Sequence, residues 1–172
     1  MPAIVRHIAL CQQESSFMSA TVANYKPDLS GRQPAFVRAM NRVSKLAGTS
    51  LKGPLDEVRL TQKGVSPAVF ESLKQLGFSA AELQWVIKPR TLAHRKSKHE
   101  SLTQEETGRW LRAVKIQALA VEVFGDHQKA NVWLHKARKH FDGQSALEIM
   151  RSESGAPLVE ESLNQIDAGY FA

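Results

Sequence analysis

Arg90, Thr91, His94, Arg95, Lys96 and Lys98 fall within nine consecutive positions. Together they offer the chemistry of nucleic-acid recognition. A guanidinium can pair with two acceptors on a guanine edge, an ammonium neutralises phosphate, and hydroxyl and imidazole groups bond base edges or backbone. Thr91, Arg95 and Lys98 share one face at i, i+4, i+7 spacing if the segment is helical. Arg95 is the residue best suited to a bidentate base contact, and Lys96 and Lys98 suit phosphates. The plainer alternative is a helix with a solvated basic face. Other chemistries find less support. Of the six histidines, His94 and His99 are five apart, as are His135 and His140. A metal-binding helical face needs about three or four. No carboxylate recurs at ligand spacing, no phosphate-cradling glycine loop is present, and no serine has the strained setting of a nucleophile. The sequence therefore argues against an enzyme and against a metal site.

The elements that must position these side chains follow from caps and breakers. Ser79 and Glu82 have capping-box spacing and open a helix expected over 79–87. Lys88-Pro89 ends it, since proline stops one helix and is tolerated at the start of the next. The second helix runs from Arg90 to about Lys98. A packed helix, a tight break and a basic helix predict a helix-turn-helix, its second helix entering a major groove. Before it, residues 1–33 read as an arm with breakers at Lys26-Pro27-Asp28 and Ser30-Gly31. Residues 34–47 predict a helix with Phe36, Val37, Met40, Val43 and Ala47 inward and Arg38, Arg42 and Lys45 outward. This helix packs on the core or touches phosphates. Residues 48–64, with Gly48, Gly53, Pro54 and Gly64, read as a connector. Ser66-Pro67 starts a helix to Leu76, stopped by Gly77.

Downstream, Thr103 and Glu106 form a second capping box and open a helix over 103–124 that is apolar on most sides. It is the expected centre of packing. A helix over 127–140 follows, with Ala130, Trp133, Leu134 and Ala137 inward. Ser145 and Glu148 cap a short helix ending near Arg151. A last helix starts at Pro157 and carries Leu158, Val159, Leu163 and Ile166. The chain closes on Gly169-Tyr170-Phe171-Ala172. Two large aromatics at a chain end are either folded back on the core or offered to a partner. No alternating strand pattern of useful length occurs, so the fold class is all-α.

Composition agrees. The 172 residues are 42% hydrophobic with formal charge +6, and mean hydropathy is −0.30. The charge is divided. Residues 1–52 carry seven basic and two acidic side chains, residues 88–115 eight and three, and residues 143–172 one and five. The division suggests two unlike partners. Cys11 is the only cysteine, which excludes a disulfide framework and fits a reducing cytoplasm. The apolar run before Cys11 is too short for a signal peptide, and Met18 is an alternative start. No window approaches a membrane span.

Several segments between about Val65 and Ala172 together resemble the Xre/MbcA/ParS-type antitoxins, which accompany RES-domain toxins. They are Arg90-Thr91-Leu92 with Arg95, Leu102-Thr103 with Glu106, and Arg109 to Arg112. Then come Val123-Phe124-Gly125, Ala130 with Trp133-Leu134, and Gly143 with Leu147-Glu148. Gly155, Val159, Leu163, Ile166 and Gly169-Tyr170 complete the set. The chain departs from the family at Lys136 to Gly143, where a proline-asparagine pair and double glycine are common. It also departs at Ala146, where proline is expected, and at His94-Arg95, where the family has an arginine pair. The resemblance implies a type II antitoxin without catalysis or a cofactor of its own. It would cover the active site of a RES toxin that consumes NAD, and repress its own operon through the helix-turn-helix. On that basis residues 1–60 are an arm with a possible helix, 61–124 a DNA-binding and dimerisation region, and 125–172 a toxin-binding region. Leu163, Ile166, Gly169, Tyr170, Phe171 and Ala172 would plug the toxin's nucleotide cleft. Arg90, Thr91, His94, Arg95, Lys96 and Lys98 would meet operator DNA, and the assembly would be a homodimer or larger. The alternative is a stand-alone helix-turn-helix regulator with no toxin partner.

Overall fold

A computed structural model describes residues 33–170. The arm read over residues 1–33, apart from Gln33, and the final Phe171 and Ala172 lie outside the described residues. Within them the α-helices are α1 (Ala35–Ala47), α2 (Pro54–Lys63), α3 (Phe70–Gln75), α4 (Pro89–Lys98), α5 (Gln104–Phe124), α6 (His127–His135), α7 (Ala146–Ile149) and α8 (Gly155–Asp167). Short 3-10 turns occupy Pro67–Val69, Glu82–Trp85 and Lys139–Phe141. No strand forms among the described residues, where the sole β-type pairing is an antiparallel bridge between Ala137 and Ser145. The fold is all-α.

α5 forms where the sequence sets its cap. The Thr103 hydroxyl accepts from the Glu106 N–H at 3.3 Å, and the Glu106 carboxylate accepts from the Thr103 N–H at 2.8 Å. Twelve of its side chains are buried, from Glu106 to Val121. α1, α2, α6 and α8 all pack on it. Trp110 is fully buried, and its indole N–H donates to the Val69 carbonyl at 3.3 Å. Truncating such a side chain to alanine costs about 3–5 kcal/mol. The sequence reading of α5 as the central helix is therefore what the packing shows.

Other expectations need correction. α1 forms where predicted but is rotated. Ala35, Ala39, Met40 and Val43 face inward, whereas Phe36 and Val37 are exposed. Two small alanines let the backbones approach, and the rotation carries Arg38 and Arg42 onto Glu122 of α5 at 2.9 and 2.7 Å. The segment read as a connector contains α2. Its signals were local: Pro54 at the first position, Asp56 and Glu57 in the first turn, Lys63 in the last. It buries only Leu60, so it has almost no apolar stripe for periodicity to detect. The helix expected over 127–140 stops at His135. Lys136 turns extended, and Ala137 is exposed rather than inward. α8 begins at Gly155, two residues before the expected Pro157.

The stretch 79–87 is also not an α-helix. The reciprocal Ser79–Glu82 bonds are present at 2.8 and 3.2 Å, but they frame a turn and the short 3-10 segment Glu82–Trp85. Leu83, Val86 and Ile87 are all buried, so tertiary burial takes the place of helical propagation. Lys88 is extended before Pro89, as the residue before a proline should be.

Candidate nucleic-acid and partner interfaces

α4 is held by its one buried residue, Leu92. It ends with His99 in the left-handed region, and the N–H groups of His99 and Glu100 bond back to the Lys96 and Arg95 carbonyls. Basic residues in this last turn complement the helix dipole. The six sequence-derived residues do not form one surface. Arg90, His94 and Lys98 are exposed and lie at i, i+4, i+8, within one face. Thr91 is half-buried beside Leu92. Lys88, not singled out by the sequence reading, is exposed just before them.

Arg95 is placed differently from the expectation of a base-reading residue. Its side chain is only 18% exposed and meets Glu106 at 2.8 Å and Glu100 at 3.4 Å. It also donates to the Ser101 carbonyl at 3.3 Å. The guanidinium thus ties α4 to the capped start of α5. The hint in the sequence was Glu106 itself, whose carboxylate serves the cap and still has lone pairs to share. Lys96 is half committed: it meets Glu71 of α3 at 2.7 Å, and Lys74 approaches the same carboxylate at 3.2 Å. Hydrogen bonds from Lys96, then Lys74, hold the Glu71 carboxyl below its ordinary pKa.

A polar seam joins the 79–87 turn to α6. Buried Gln117 of α5 donates to the Leu76 carbonyl at 2.9 Å and to the Asn131 side chain at 2.8 Å. Gly77 has φ +98°, and a Cβ there would meet the Asn131 amide nitrogen. Only glycine fits both demands. Nearby, the His135 imidazole lies 2.6 Å from Glu82. Burial raises the Glu82 pKa, but bonds from Ser79 and His135 outweigh it, and the carboxyl sits below its ordinary value.

At the C-terminal end, Ala156, Val159 and Leu163 of α8 are buried against the core. Leu163, expected in a partner contact, is therefore a core residue at 0% exposure. Ile166 is half-buried against the same core. Gly169 ends α8 at φ +83°. Its N–H bonds the Ile166 carbonyl at 3.0 Å, and the Tyr170 N–H bonds the Gln165 carbonyl at 2.8 Å. This is a Schellman termination. It turns Tyr170 outward, 58% exposed, rather than folding it back.

Between α6 and α7 the chain is organised by aromatics. Trp133 packs with Phe124 and Phe141 at ring separations of 5.8 and 6.4 Å. The Arg138 guanidinium lies 4.6 Å over Trp133 and donates to its carbonyl at 3.1 Å. Burial draws the Arg138 pKa below the usual arginine value.

Residues 119–169 match the family model described as the antitoxin Xre/MbcA/ParS C-terminal toxin-binding domain. The chain is 34% identical over 113 residues to an antitoxin Xre of Pseudomonas putida, covering 66% of this chain and 64% of that relative. It is 30% identical over 87 residues to an antitoxin Xre of Yersinia enterocolitica, covering 50% of this chain and 59% of that relative. The matched span is less than two thirds of the length of either relative.

Proposed function

We propose that this chain is an Xre-type antitoxin that neutralises a RES-domain NAD-degrading toxin by occupancy and represses its own operon, a reading supported by its C-terminal match and its relatives. The observation that carries the reading is the end of α8. Where the segment that matches a toxin-binding domain ends at Gly169, a Schellman turn presents the next residue, Tyr170, exposed instead of burying it. An exposed aromatic anchor on a rigid helix end suits insertion into a cleft, because little conformational entropy is lost on docking. Ile166, Gly169 and Tyr170 then belong to the inserted part, with Phe171 and Ala172 following. Leu163 supports them from the core.

DNA contact is assigned to the outward face of α4. Arg90 and His94 meet base edges, Thr91 a base edge or the sugar-phosphate backbone, and Lys88 and Lys98 phosphates. Lys96 can join them by exchanging Glu71 for a phosphate. The chain acts as a homodimer or larger, since paired half-sites need paired recognition helices. Two assays test the reading. The product of the adjacent reading frame is expressed with and without this chain; growth arrest relieved by the chain supports it, and arrest unrelieved contradicts it. In a gel shift on the upstream region, Arg90→Ala and Lys98→Ala weaken binding; unchanged binding across a salt series counts against α4. Retained operator binding with no toxic neighbour would instead mark a stand-alone regulator.

A further inference from the structure

We propose that the loop after α6 is an electrostatic docking surface for an acidic patch on the partner protein, an inference that rests on the toxin-binding reading and specifies its chemistry. Residues 136–143 hold Lys136, Arg138 and Lys139 against a single acid, Asp142, with His140 beside them. This runs against the acidic balance of the C-terminal end. The fold uses only one of these cations. Arg138 is anchored on Trp133, its N–H donates to the Gln144 carbonyl at 3.0 Å, and its carbonyl accepts from the Phe141 and Gly143 N–H groups at 3.1 and 2.9 Å. With the Ala137–Ser145 bridge, this makes a firm loop. Lys136 and Lys139 are exposed on it and form no ion pair among the described residues. Lys136 sits at the C-terminal end of α6, where a cation is favoured, but neither lysine is held by a carboxylate among the described residues.

Apolar groups lie alongside. Val132, one turn before Lys136 on α6, is 67% exposed. His140 reaches Ser162 of α8 at 3.5 Å, and Leu158, one turn before Ser162, is 58% exposed. Isolated apolar anchors with a charged rim are the composition of a protein interface. The loop lies within residues 119–169, which match a toxin-binding domain, so an acidic protein patch is favoured over nucleic acid.

The test compares the full chain with Lys136→Glu/Lys139→Glu and Lys136→Gln/Lys139→Gln. Binding to the purified product of the adjacent reading frame is followed by association rate over a salt series, with thermal melting and a gel shift in parallel. The double reversal should slow association at low salt by about tenfold or more, and the neutral pair by less. The difference should shrink as salt rises, with operator binding unchanged and the neutral pair melting close to the wild type. Wild-type association by the folded reversal variant would overturn the proposal. So would lost operator binding with toxin association intact, which would assign the loop to phosphates. If the wild-type chain does not bind that product, the toxin reading fails and the loop's role fails with it, a result distinct from binding that ignores the loop's charge.

Discussion

Arg95 and Arg90 sit five positions apart with the same side chain, yet the structure divides their work. Arg95 spans Glu100, Glu106 and the Ser101 carbonyl, whereas Arg90 is exposed. Arg95→Ala should lower stability by about 1–2 kcal/mol, less than a fully buried pair because the site is partly solvated. Arg90→Ala should leave the denaturant midpoint unchanged while weakening operator binding and reducing its salt dependence. Chemical denaturation and gel shifts on the two variants separate these outcomes. Residue type was legible in the sequence, but its partner was not. The partner of Arg95 is a carboxylate eleven positions away, and only the turn of the chain between α4 and α5 brings them together.

Glu122 makes the same point with a pH consequence. Burial alone would raise its pKa, but hydrogen bonds from Arg38 and Arg42 more than offset this and hold the carboxyl below its ordinary value of 4.5. A carboxyl depressed in the folded state binds protons more tightly when unfolded. Its stabilisation is therefore present above the unfolded pKa and is lost as pH falls through the folded one. Glu82 acts in the same direction. Denaturation midpoints measured from pH 6 down to about pH 3 should fall, and Glu122→Gln should flatten part of that fall. An unchanged slope in the variant would show that the Arg38–Arg42–Glu122 cluster is not the source.

Among the elements, those with strong local signals were readable and those shaped by packing were not. The capping boxes at Thr103 and Ser145 formed as spelled out, because both partners lie within one turn. α2 escaped notice because it buries one residue. The 79–87 segment had the right cap but shortened into a 3-10 turn, since three buried apolar side chains fix its path. The rotation of α1 was invisible because it depends on Glu122, some 80 positions away. Gly77 faces the Asn131 side chain so closely that a Cβ there would meet the amide nitrogen. Gly77→Ala combines a left-handed φ with a clash against a side chain pinned by Gln117, and should cost about 1–3 kcal/mol. Asn131→Gly should recover part of that loss in the double variant, since the two sites share one contact. Additive losses in thermal melts would contradict the account of this seam.

For the whole molecule, the sequence's uneven charge is what suggests the proposed division between a DNA-binding and a toxin-binding part. The cations of α4 and the acidic residues of the C-terminal end were legible as two balances, because charge is a property of composition. Of the residues grouped in the proposed plug, Tyr170 is outward while Leu163 belongs to the core. Periodicity marks both as apolar and cannot say which side of α8 meets solvent until the Schellman turn at Gly169 is placed. α8 keeps its buried face of Ala156, Val159 and Leu163 without the tail, so the helix and the tail can be separated by experiment. The most direct measurement is neutralisation by a chain lacking residues 169–172, co-expressed with the toxic product of the adjacent reading frame. The truncated chain should melt as a folded protein, shift operator DNA as the full chain does, and fail to relieve growth arrest. Full relief by the truncated chain would contradict the tail's role as the blocking element.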